Sequence, residues 1–67
     1  MQMISSFPAP SLLGVFKTFG RFGPAYQVIE AVHPLADGDW LMRVRLLETS
    51  EEVEYRYARI QDDPEAA

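Results

Sequence analysis

From Trp40 onward, every second residue is apolar: Trp40, Met42, Val44 and Leu46, with Arg43 and Arg45 between them. After a polar bend the alternation resumes as Val53, Tyr55 and Tyr57, interleaved with Glu52, Glu54 and Arg56. A period of two marks strands with one face buried. The pattern therefore predicts strands over 40–47 and 52–57 that form a hairpin. Two registers keep the apolar residues on one face. One pairs Leu46 with Val53 and Val44 with Tyr55, and sets Arg45 opposite Glu54 but Arg43 opposite Arg56. The other pairs Val44 with Val53 and sets Arg45 opposite Glu52 and Arg43 opposite Glu54. Opposite charges across a ladder stabilise and like charges destabilise, so electrostatics favours the second.

Upstream the pattern is less decisive. In residues 11–19, SLLGVFKTF, the positions Leu12, Leu13, Val15, Phe16 and Phe19 fit a helical stripe, with Ser11 as N-cap and Gly20 as stop. Gly14 opposes a helix, and the β-branched and aromatic residues also suit a strand. Helix is the expectation and strand the alternative. Residues 20–24, GRFGP, read as a turn. Residues 25–32, AYQVIEAV, read as a strand, with helix as the alternative. In a strand Val28 and Ile29 face opposite ways, so either both faces are partly covered or a bulge lies there. Residues 33–39, HPLADGD, read as a loop. Ile60 is expected to fold back onto the core as a short turn or 3₁₀ segment, and Asp62-Asp63-Pro64 to end the ordered chain.

These elements assemble into an α+β or mainly β domain. A three-stranded antiparallel meander packs one face against the N-terminal apolar segment. If residues 12–19 form a strand, an SH3-like small barrel is the alternative. Residues 1–10, rich in serine and proline, are expected as a flexible arm, 11–61 as a single small domain, and 62–67 as an acidic tail. At 67 residues the chain has a thin stability margin. With no cysteine it has neither disulfides nor thiolate metal sites to add to it, which leaves an unusually good core or a homo-oligomer as the expected sources of stability. No apolar run approaches the roughly 18 residues of a membrane span. The N-terminus also lacks the basic start of a signal peptide, so the expected location is the cytoplasm.

Charge divides the chain. Residues 1–47 hold four basic and three acidic side chains, whereas 48–67 hold two basic and seven acidic, a balance of −5. Such a segment repels nucleic-acid backbones and favours a basic protein partner. Its plainer use is a solvated, solubilising face. The candidate partner-binding residues are Glu52, Glu54, Asp62 and Asp63. Arg21 and Phe22 join them, because an aromatic beside an arginine on a loop has the composition of an interface anchor. Both Phe19 and Phe22 have a core residue as their plainer reading. Arg43 and Arg45 raise a competing function, binding of RNA or single-stranded DNA by a small β-domain. The aromatics alternate away from these arginines and Glu52 and Glu54 interleave with them, which weighs against it.

Nothing in the chain marks an enzyme or a cofactor. His33, near Asp37 and Asp39, has no recognised ligand spacing and reads as a solvated loop residue. GRFGP lacks the lysine of a phosphate-binding loop. Adjacent acids on a strand point to opposite faces, so Glu51-Glu52 is not a paired acid/base site. The expected function is a non-enzymatic interaction module, in the manner of an inhibitor, antitoxin or accessory subunit.

From Gly20 on, the runs GRFGPAYQVIEAV and DGDWLMRVRLLETSEEVEYRYARIQDDPEA resemble a family of small uncharacterised bacterial proteins. The shared features are a turn containing FGP, a Tyr-x-Val strand, a strand ending in a Leu-Glu-Thr turn, and a closing Asp-Pro-Glu-Ala. The resemblance covers about two-thirds of the chain and implies a bacterial origin, a mobile element among the sources it allows. It carries no catalytic residues. Ser50 stands where that turn would more comfortably hold glycine.

Overall fold

Tyr26, Val28, Met42 and Val44 lie on one face of an antiparallel sheet and, with Ile60, are completely buried. The structure is a computed structural model that describes residues 7–66. Its elements are a 3₁₀ turn at Pro10–Leu12, β1 (Phe16–Thr18), β2 (Ala25–Pro34), β3 (Trp40–Leu46), β4 (Glu52–Arg56) and α1 (Tyr57–Asp62). The four strands form one open sheet in the order β1-β2-β3-β4, each antiparallel to its neighbour. The meander thus has four strands rather than three, and it does not close into a barrel.

The β3–β4 ladder pairs Val44 with Val53, Met42 with Tyr55, Arg45 with Glu52 and Arg43 with Glu54. This is the register that cross-strand charge favours. Residues 25–32 are a strand, and the register slips between Val28 and Glu30 and again between Ala31 and His33. The first slip is a bulge at Ile29, one of the two arrangements expected for the adjacent Val28 and Ile29. β2 runs on to Pro34, so His33 and Pro34 belong to the ladder, opposite Leu41 and Trp40, and not to the loop.

Residues 11–19 do not form the expected helix. Gly14 adopts φ +90°, which no right-handed helix accommodates. The edge of β2 supplies backbone partners instead: Gly14 N–H donates to Val28 O at 2.7 Å and Val28 N–H to Val15 O at 3.0 Å. The apolar residues of this segment then divide. Leu12 and Phe19 pack on the core, while Leu13 and Phe16 are exposed. Ile60 reaches the core as expected, but from the α-helix α1, which begins at Tyr57, and not from a short turn or 3₁₀ segment. Phe7, within the segment read as an arm, sits edge-on to Trp40 and Tyr57 at centroid distances of 5.5 and 5.0 Å. Residues 1–6 and 67 lie outside the described chain.

A candidate interaction surface

α1 is too short to be stable alone. Its N-cap, Arg56, makes no side-chain capping bond. The cap comes from the β2–β3 loop: Asp39 Oδ1 accepts from the Ala58 N–H at 3.1 Å and from the Trp40 N–H at 2.8 Å. Arg56 adds ion pairs to Asp37 Oδ2 at 2.7 Å and Asp39 Oδ2 at 3.5 Å. The Arg56 guanidinium holds the Asp37 carboxyl below the usual carboxylate range.

The other end of α1 is tied to β1. Lys17, a buried residue only 7% exposed, donates to Ile60 O at 2.7 Å and Asp63 O at 3.1 Å. A cation against the carbonyls that end a helix is favourable in charge as well as in hydrogen bonding. The Asp63 carboxylate faces inward. Its Oδ2 accepts from the Tyr26 hydroxyl at 2.8 Å and the Tyr55 hydroxyl at 2.9 Å, and its Oδ1 from the Gly20 N–H at 3.0 Å. Burial, then the bond to Asp63, raises the pKa of Tyr26 far above the ordinary tyrosine value and pushes that of Tyr55 up to about 12. The chain continues past Asp63 along β1: Thr18 N–H donates to Pro64 O at 3.0 Å, and Ala66 N–H to Phe16 O at 3.0 Å. The segment read as an acidic tail is therefore laid against the sheet as far as Ala66. Asp63, proposed as a partner contact, is an internal ligand.

The same carboxylate braces the β1–β2 loop. Gly20 is held by Asp63 and by Thr18 Oγ1, which donates to Gly20 O at 2.7 Å, and Phe19 N–H closes the loop on Pro24 O at 3.1 Å. At Gly23 a Cβ would collide with the Phe19 carbonyl, so this loop shape requires glycine. The two phenylalanines separate as a result. Phe19 packs against Tyr26 and Tyr55, with ring centroids 4.3 and 5.0 Å away. Phe22 points out, 95% exposed, with the Arg21 guanidinium 5.9 Å over its ring. Of the two, Phe19 is core and Phe22 is not.

The β3–β4 turn lies at this end of the sheet, because Leu47 N–H donates to Ala25 O at 3.1 Å. The turn spans four residues, with Ser50 N–H donating to Leu46 O and Leu46 N–H to Glu51 O, both at 2.8 Å. Its last residue, Ser50, takes φ +63°, the conformation glycine adopts most readily. Leu47 is 46% exposed on the turn, and Glu48 and Glu51 are exposed beside it.

The outward face of the sheet is a lattice of charges. Arg43 pairs with Glu30 and, at 3.9 Å, with Glu52, which also meets Arg45 at 2.9 Å. Glu52 is thus bound within the molecule. Among the described residues Glu48, Glu51, Glu54, Asp62 and Glu65 form no ion pair. The structure does not gather the six proposed residues into one site: Arg21 and Phe22 share a loop tip, Glu52 and Glu54 a sheet face, and Asp62 ends α1. Lys17, Asp39 and the Tyr26–Asp63–Tyr55 cluster went unread as polar anchors, since only the fold brings their partners near. Among the described residues no cavity opens, no three His, Cys, Asp or Glu side chains assemble as a metal site, and no helix is long and apolar enough to cross a membrane.

Residues 4–67 match DUF5397, described as a family of unknown function. A similar chain is an uncharacterised protein of Haemophilus influenzae, 43% identical over 53 residues that cover 79% of this chain and 84% of the relative.

Proposed function

The chain belongs to the DUF5397 family, and from that premise we propose that it is a non-enzymatic protein-interaction module whose binding end is formed by the β1–β2 loop and the β3–β4 turn. The observation that carries the reading is Phe22. A phenylalanine left 95% exposed forgoes roughly 1.5–3 kcal/mol of burial. The loop that holds it out is braced by three hydrogen bonds and a glycine with no room for a side chain. Rigid presentation lowers the entropy cost of docking, which is how anchor residues gain affinity. Leu47 adds a second exposed apolar side chain at the same end of the sheet, and unpaired Glu48 and Glu51 there favour a partner with basic groups around an apolar pocket.

Binding of RNA or single-stranded DNA through Arg43 and Arg45 stands second. Both guanidinium groups are engaged by Glu30 and Glu52, so phosphate contacts would have to displace existing pairs.

The test is capture from bacterial lysate, split into nuclease-treated and untreated halves, with tagged wild-type protein and with Phe22→Ser. A protein retained by the wild type and lost with Phe22→Ser supports the reading, and further loss with Glu48→Lys and Glu51→Lys supports the charge preference. Equal capture by wild type and Phe22→Ser rejects it. Capture that vanishes with nuclease moves the function to nucleic acid.

A further inference from the structure

The two edges of the sheet are treated differently. On β1 the outward backbone groups, Thr18 N–H and Phe16 C=O, are occupied by the segment after Asp63. On β4 the alternation of an antiparallel ladder identifies the outward groups. Leu46 and Glu51 are joined by a hydrogen bond, so Val53 and Tyr55 bond to β3 in turn, and Glu52, Glu54 and Arg56 direct their N–H groups to the open edge. Among the described residues nothing meets these groups.

We propose that the β4 edge pairs antiparallel with β4 of a second copy of this chain, about a two-fold axis at Glu54. The argument is charge complementarity. A two-fold at Glu54 sets Glu52 of each copy opposite Arg56 of the other, and Val53 opposite Tyr55 on the core face, each pairing occurring twice as an isologous contact requires. Glu52 would then lie between Arg45 of its own chain and Arg56 of the other copy, extending the charge lattice across the interface. Centring the axis on Val53 would oppose Glu52 to Glu54 twice. Centring it on Tyr55 would pair only residues 54–56 within the strands. Main-chain bonds between edges supply affinity and the side-chain pairs supply register. The like-charged Glu54 pair on the axis limits the affinity and provides the handle for a test. This inference is independent of Phe22, which lies on the β1–β2 loop.

The experiment is sedimentation velocity on the full chain over a wide concentration series, with Glu54→Gln and Glu54→Pro. The wild type is expected to dimerise with concentration. Glu54→Gln removes the repulsion on the axis and tightens the dimer about two- to fivefold. Glu54→Pro removes an N–H that the β3 ladder does not use, so it should abolish the dimer while far-ultraviolet circular dichroism stays that of the wild type. If that variant unfolds, Glu54→Gln alone decides. A wild type monomeric at every concentration, or a dimer indifferent to Glu54→Gln, overturns the proposal.

Discussion

The Tyr26 hydroxyl, at the centre of the core face, donates to Asp63 Oδ2 at 2.8 Å across 37 positions of sequence. That bond locks the segment after α1 to the sheet, and Tyr55 and Gly20 share the same carboxylate. Asp63→Ala leaves the Tyr26 hydroxyl buried without an acceptor and frees two more donors. An unsatisfied buried group costs about 1–3 kcal/mol, so the expected loss is about 2–4 kcal/mol. Tyr26→Phe removes a donor and leaves the acceptor two others, and should cost about 1 kcal/mol. Urea titration followed by tryptophan fluorescence distinguishes the two. Equal costs would mean that the carboxylate contributes only through Tyr26.

The tyrosine pair sets an alkaline limit. Both hydroxyls have pKa values raised in the folded chain, chiefly by burial, above the value near 10 of an unfolded tyrosine. Above pH 10 the unfolded state releases protons that the folded state retains. The stabilisation is therefore complete below about pH 10 and declines as pH rises through the folded values. For Tyr26 the expected slope is about 1.4 kcal/mol per pH unit between pH 10 and 12, with Tyr55 adding to it. Urea midpoints across that range should fall more steeply in the wild type than in a Tyr26→Phe/Tyr55→Phe variant. Parallel declines would contradict the assignment.

Ser50 carries a conformational cost. Its φ of +63° places a side chain where only glycine is unstrained. Ser50→Gly is expected to raise stability by about 0.5–1 kcal/mol, the relief of strain partly offset by the freer unfolded chain. Ser50→Val should lower it by more than 1 kcal/mol, because a β-branched residue fits that region worst. Thermal melts of the three proteins check the order.

Ser50 was legible because a single turn decides it, and the same holds for the β3–β4 register, which is the one that sets Arg45 opposite Glu52 and avoids Arg43 opposite Arg56. The bulge after Val28 was legible only as one of two options, since two adjacent branched residues also fit a strand covered on both faces. The segment around Gly14 was not, because Leu12, Val15, Phe16 and Phe19 satisfy the spacing of an amphipathic helix equally well. What decided it was the hydrogen bonding offered by β2, a property of the sheet. Asp63 read as part of an acidic tail because its partners stand 8 and 37 positions away. Phe19 and Phe22 have the same composition around them, and only the close approach at Gly23 separates them.

Asp39 should behave as the cap of a helix that begins eighteen residues later. Its carboxylate serves the Ala58 and Trp40 N–H groups and its side chain is 12% exposed. Asp39→Ala is expected to cost about 1–2 kcal/mol, with Asp39→Asn retaining most of the loss-free state because an amide oxygen can still accept. Asp37, two positions away and fully exposed, bonds the same arginine, yet Asp37→Ala should be inseparable from wild type in a melt. Matching losses at the two positions would show that the ion pairs with Arg56, and not the cap, support α1.

The loop that displays Phe22 separates presentation from folding. Phe22 contacts little besides Arg21, so Phe22→Ser should change stability by less than about 0.5 kcal/mol. Gly23→Ala drives a methyl group into the Phe19 carbonyl, and the backbone must shift to relieve it. Phe19 is packed on Tyr26 and Tyr55, so that shift disturbs the core as well as the loop, at an expected cost of about 1–3 kcal/mol. If the loop's shape serves the display of Phe22, Gly23→Ala should weaken partner capture even at temperatures where the variant is fully folded. Phe22→Ser should weaken it with no change in melting temperature. A Phe22→Ser variant markedly less stable than wild type would mean that the ring contributes to the fold, and the anchor reading would lose its ground.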